Sequence, residues 1–221
     1  MTELVLFDLD GTLSDSAPGI LAALRHAFAV NGVPPLDAET EQALLGPPFY
    51  DSLPPLIGDV DLWDVIGAYR EHYGAGGMFD TTAYDGIGAV LERASASGLR
   101  MAVATSKPEA YAIPIVEHLG FADHFETIGG DEKDGSLGTK ALVIDKVLRR
   151  LGDVDPQEAV MIGDREHDVF GAREHGIRCI GAAWGYGLPG ELVAAGAEPI
   201  CAAPGELAAA LGLGADDAAA S

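Results

Sequence analysis

Two carboxylates, Asp8 and Asp10, close the apolar run in FDLDGT, and Gly11 follows them. In an extended strand residues i and i+2 point the same way, so both acids project together where the strand ends. Such a pair divides labour well. One carboxylate attacks phosphorus and becomes an aspartyl-phosphate, splitting a hard displacement into two steps. The other protonates the leaving oxygen and then takes a proton from water. Taken alone, the pair reads equally as a turn or a helix N-cap, because Asp is favoured in both places.

Further strand ends carry compatible chemistry. MAVATSKP closes on Thr105 and Ser106, whose hydroxyls, with backbone N–H groups at a following helix start, suit phosphate oxygens. Lys140 opens a helix after DGSLGT, where an ammonium neutralises a transferring phosphoryl group. VMIGDREHD brings Asp164 and then Asp168 to another strand end. Carboxylates crowded in one crevice repel each other unless a cation intervenes, which points to Mg²⁺, a hard ion that takes oxygen ligands.

The elements that must position these residues are legible as short apolar runs at 5–7, 100–104, 126–128, 159–162 and 178–180, which read as buried parallel strands. Helical patterns lie between them at 87–97, 109–119, 140–151 and 168–175, several closed by a glycine. The alternation predicts an α/β fold with a doubly wound, Rossmann-like parallel sheet and chemistry at the carboxyl ends of its strands. From 16 to 80 only helical patterns occur, at 18–30, 38–45, 49–56 and 61–73. The expected organisation is a core of 1–15 with 81–212, an inserted helical cap of 16–80 hinged near 14–17 and 79–84, and a disordered tail of 213–221.

Composition narrows the partners. At 221 residues the chain can bury a substantial core. Its formal charge of -22 repels phosphate backbones and anionic membranes, which argues against nucleic-acid or membrane binding. Phosphate must then be attracted locally, by a few cations. The two cysteines, Cys179 and Cys201, lie in apolar surroundings without a CxxC or Cys/His cluster and read as buried thiols. No apolar run of about 18 or more residues occurs, and no basic stretch leads into an apolar one near the first residues, so a cytoplasmic protein is expected. No GxxxxGK[ST] loop is present, so ATP or GTP is not an expected cofactor.

The ordered set FDLDGT, ATS, a helix-starting lysine and GDxxxD resembles the haloacid dehalogenase superfamily of phosphohydrolases. The resemblance covers nearly the whole chain and extends to GPP in the helical insertion, YDGI, ATSKPEAYA, GDREHD and GYG with EL. The combination is similar to the phosphoglycolate-phosphatase-like branch, which includes 5'-nucleotidases. It implies Asp8 as nucleophile and Asp10 as general acid/base. It implies Mg²⁺ held by the Asp8 side chain, the Asp10 carbonyl and Asp164, with Asp168 in support. Thr105, Ser106 and Lys140 would bind the phosphoryl oxygens. Relatives often carry an arginine before the motif lysine, where this chain has SLGTK.

Substrate contacts are expected from Lys107, from Arg165 and from a cap loop of Pro47, Pro48 and Phe49, each of which also reads as ordinary surface or helix-start chemistry. The implied activity is hydrolysis of a small phosphate ester, 2-phosphoglycolate-like or a nucleoside 5'-monophosphate, by a monomer or homodimer. A phosphosugar mutase uses the same nucleophile, and a phospho-accepting or binding protein is the non-enzymatic alternative. A dehalogenase attacks carbon without needing the second acid, and Asp10 speaks against it.

Overall fold

The strand β1 (Leu4–Phe7) is buried along its whole length, as a strand with helices on both faces must be. The computed structural model describes residues 2–132 and 135–213. In it, β1 pairs in parallel with β4 (Arg100–Pro108) on one side and with β6 (Ala159–Gly163) on the other. β5 (Thr127–Asp131) flanks β4, and β7 (Arg178–Ala182) and β8 (Ile200–Cys201) continue beyond β6, giving a six-stranded parallel sheet of order β5-β4-β1-β6-β7-β8. The two remaining strands, β2 (Ser14–Asp15) and β3 (Thr82–Ala83), form a separate two-stranded sheet.

The helices are α1 (Ala17–Val30), α2 (Ala38–Ala43), α3 (Phe49–Ser52), α4 (Leu62–Gly74), α5 (Ile87–Ala96), α6 (Glu109–His118), α7 (Lys140–Leu151), α8 (Glu166–Glu174), α9 (Glu191–Ala195) and α10 (Leu207–Ala210). Alternation along β1 sends Leu4 and Leu6 into a cluster with Ala102, Val143, Ile144, Met161 and Val169. Val5 and Phe7 project to the opposite face, where Phe7 meets Phe125 edge to face at 5.9 Å. Burying Phe7 fully stabilises the sheet by about 1.5–3 kcal/mol. Glycines end the helical runs as expected: Gly98, Gly120, Gly152 and Gly176 all have positive φ, which costs glycine little because it has no Cβ.

Chain contacts divide the molecule into two units, Met1–Leu13 with Ala83–Ser221, and Ser14–Thr82. In the second unit α1 buries Ile20, Ala23, Leu24, Ala27 and Phe28, and α4 buries Val65, Ile66, Tyr69 and Tyr73. Both sets follow the three- and four-residue spacing of an amphipathic helix. Gly19 lies so close to the Gly77 carbonyl that a Cβ there would overlap it. Phe49 stands edge to face on Tyr69 at 4.8 Å, which fixes α3 against α4.

Several boundaries differ from the sequence reading. β4 and β5 run on to Pro108 and Asp131, because polar residues at their ends still hydrogen-bond after the apolar signal stops. α8 begins at Glu166, two residues before the expected start, since the Arg165 N–H donates to Asp168 Oδ2 at 3.1 Å and closes the first turn. α2 and α3 end at Ala43 and Ser52, earlier than expected. The two-residue β8 and short α9 and α10 are too brief for periodicity to register. The tail expectation for 213–221 lies outside the described residues from 214 onward. Among the described residues no helix is long and apolar enough to cross a membrane.

Candidate active site

Asp8 continues β1 by one residue: its N–H donates to the Ile162 carbonyl at 2.9 Å, and its side chain is buried. Beyond it Gly11 takes φ +83°, and a Cβ there would overlap the Asp164 carboxylate. Only glycine therefore satisfies both the turn and the close approach. The turn delivers Thr12, whose Oγ1 donates to Asp164 Oδ1 at 3.0 Å.

Lys140 enters from the start of α7, which Thr139 caps by accepting from the Leu142 N–H. Its Nζ lies 2.8 Å from Asp8 Oδ1 and 2.7 Å from Asp168 Oδ1, and donates to the Ala104 carbonyl at 3.0 Å. Burial works against its charge, but attraction from Asp168 and Asp8 outweighs that and holds its pKa above the ordinary lysine value.

Asp164 directly follows β6, with 0% exposure. Its Oδ2 accepts the Tyr186 N–H at 2.7 Å, and Gly185 and Gly187 leave the room that a Cβ would take from it. Burial, reinforced by Asp168 and Asp8, pushes its pKa well above the usual carboxylate range despite the bonds from Tyr186 and Thr12. Burial also raises Asp168, with Lys140 opposing and Asp8 adding to the rise. One oxygen from each of Asp8, Asp164 and Asp168 lies within 4.8 Å of the others. An all-carboxylate, buried, mutually repelling donor set fits a hard divalent cation such as Mg²⁺, and the elevated acids are the electrostatic cost it would relieve.

Asp10 is more open, its side chain 15% exposed, and Lys107 Nζ lies 2.9 Å from its Oδ2. Lys107 arrives through a register shift between Thr105 and Pro108 in the β4–β5 pairing, and its N–H donates to Thr105 Oγ1 at 3.2 Å. Thr105 is buried and Ser106 half-buried. The structure thus joins Asp8, Lys140, Asp164 and Asp168 in one cluster, with Asp10 in the turn after β1 and Lys107 and Thr105 on β4.

Arg165 is engaged elsewhere: its Nε is 2.8 Å from Glu191 Oε1, which also accepts the Glu166 N–H. Pro47, Pro48 and Phe49 belong to the helical unit, where Pro48 precedes α3. Sequence reasoning missed Thr12 and Glu191 as supports. Thr12 lies inside FDLDGT and Glu191 inside the EL pair, so both were quoted without a role. Cys179 and Cys201 are free and buried, and burial raises both thiols.

Comparison with known proteins bears on the family of the chain. The family described as haloacid dehalogenase-like hydrolase matches residues 5–182. The tyrosine-protein kinase PtkA of Mycobacterium tuberculosis is 43% identical over 185 residues, 84% of this chain and 63% of that protein. This chain therefore spans less than two thirds of that relative's length. A 5'-nucleotidase of Pseudomonas aeruginosa is 36% identical over 190 residues, 85% of this chain and 86% of the relative. The structure of a haloacid dehalogenase-like family hydrolase from Streptococcus pneumoniae superimposes with a TM-score of 0.88 at 31% identity, covering 95% of this chain and 98% of that one. With the ordered motifs on the ends of one parallel sheet, the match over residues 5–182 makes this chain a member of the haloacid dehalogenase-like hydrolase family.

Proposed function

We propose that the protein is a Mg²⁺-dependent phosphomonoesterase that cleaves a small phosphorylated metabolite through an aspartyl-phosphate on Asp8. The observation that carries this reading is the buried Asp8–Asp164–Asp168 cluster held against Lys140, with Asp10 beside it and partly open. An Asp8 oxygen forms a bond to phosphorus while the ester P–O bond breaks, and the leaving alkoxide takes a proton from Asp10. Water then attacks the same phosphorus and gives its proton to Asp10, and the bond to Asp8 breaks to release phosphate. Lys140, Thr105 and Ser106 hold the phosphoryl oxygens in this scheme. Asp8, the Asp10 carbonyl and Asp164 would hold Mg²⁺, with Asp168 in support, and the ion would supply charge neutralisation for the transferring group.

In the same proposal, 1–15 with 81–212 carry the chemistry, and the helical segment 16–80 chooses the ester, with Pro47, Pro48 and Phe49 in its selecting loop. The substrate class is a 2-phosphoglycolate-like ester or a nucleoside 5'-monophosphate, and the 36% identical 5'-nucleotidase supports the latter. Phosphate release from 2-phosphoglycolate, nucleoside monophosphates, sugar phosphates and pyrophosphate, with and without Mg²⁺, tests it. Selective Mg²⁺-dependent release is expected; interconversion of sugar phosphates without release would favour the mutase instead.

A second reading rests on the 43% identical relative named a tyrosine-protein kinase. It predicts transfer of label from ATP to tyrosine, and radiolabelled ATP with a tyrosine-containing acceptor decides it.

A further inference from the structure

We infer that Lys107 is a positioning residue for the proposed hydrolysis, acting through Asp10 by holding its carboxylate in the place from which it exchanges protons. The inference rests on the phosphomonoesterase reading above and assigns Lys107 a role other than contact with substrate.

Asp10 lies three residues past the end of β1 and directly before Gly11. The backbone there is turning, with φ +83° at Gly11, and β4 brings a cation against the carboxylate. The ladder between β4 and β5 shifts register between Thr105 and Pro108, and a bulge of this kind re-aims a side chain at the cost of regular pairing. The re-aimed chain is Lys107, whose ammonium sits 2.9 Å from Asp10 Oδ2.

The bulge is built in place. Gly130, on β5, faces it so closely that a Cβ would overlap the Lys107 carbonyl and the Glu109 backbone. The Lys107 N–H is tied to Thr105 Oγ1. The Lys107 side chain is only 5% exposed, and a buried ammonium is costly unless paired. The two buried lysines thus divide the acids: Lys140 attends Asp8 and Asp168, and Lys107 attends Asp10.

Steady-state kinetics of wild type, Lys107→Met, Asp10→Asn and the double variant, on the ester the wild type cleaves best, test the assignment. Thermal unfolding is recorded in parallel. Lys107→Met is expected to lower kcat on the order of 10- to 100-fold, the scale of a misplaced reacting group. KM should stay within about twofold, because no ground-state contact is lost. In the Asp10→Asn background Lys107→Met should cost less than about twofold more, since it acts only through the missing carboxylate. Should Lys107→Met not fold, Lys107→Gln keeps a donor on a slightly shorter chain and carries the same comparison. A raised KM at unchanged kcat makes Lys107 a substrate contact and overturns the inference. So do losses that multiply in the double variant. Both outcomes leave the phosphatase standing, whereas wild type without Mg²⁺-dependent release from any ester overturns that reading and this one together.

Discussion

Thr12 Oγ1 and Asp164 Oδ1 meet at 3.0 Å across 152 positions of sequence, in the buried space between the β1 turn and the end of β6. The bond supports a carboxylate that burial already disfavours in its charged form. Thr12→Val keeps the shape and removes the donor, leaving one oxygen of Asp164 without it. Stability should fall by about 1–3 kcal/mol, read from the urea midpoint at unchanged slope. An unchanged midpoint would mean that Asp164 does not depend on Thr12.

Gly11→Ala should be worse than a typical turn substitution. Its φ of +83° disfavours any side chain, and the added methyl would overlap the Asp164 carboxylate. A loss of more than about 1 kcal/mol is expected from the backbone alone, with Mg²⁺-dependent activity falling as Asp164 is displaced. Calorimetry and phosphate release on the same sample check both parts.

Glu191 gives the pH dependence. Burial alone would raise its pKa, but the Arg165 ion pair and the N–H groups of Glu166 and Leu188 overcome this and hold it below the usual glutamate value. A carboxylate depressed in the folded state stabilises the fold above its unfolded pKa, and that stability is lost as pH falls through the folded value. Glu191→Gln should therefore lower stability by about 1–3 kcal/mol near neutrality, with the gap to wild type closing below about pH 4. Urea unfolding across that range measures it. A gap that widens in acid would contradict the assignment.

Mg²⁺ should raise the melting temperature, because an ion that binds only the folded state stabilises it by mass action. The shift should vanish in Asp164→Asn, which removes one of the three carboxylates of the cluster, while Arg165→Gln should retain it. Differential scanning fluorimetry with and without EDTA separates these outcomes.

How much of this was legible in the letters depends on what each residue signals alone. β1, β6 and β7 were readable because buried parallel strands are continuous apolar runs, and the acids after β1 and β6 stood out against them. Lys140 was readable because it opens a long amphipathic helix. Lys107 was ambiguous, since nothing in SKP reveals a bulge that turns the side chain toward Asp10. Arg165 read either as a substrate contact or as a surface ion pair, and its partner, Glu191, could not be named because it is 26 residues away on another element. Long-range polar pairing leaves no periodic trace, so the supports of the site emerged only with the fold.

The most direct measurement is rapid quenching of the Asp10→Asn variant with a radiolabelled phosphomonoester and Mg²⁺, followed by peptide mapping. Loss of the general base should slow release and let the phosphoenzyme accumulate. The account predicts acid-stable, base-labile label on the peptide that contains Asp8, absent when Asp8→Asn is added. Label on another residue, or near-wild-type turnover by Asp8→Asn, would contradict it.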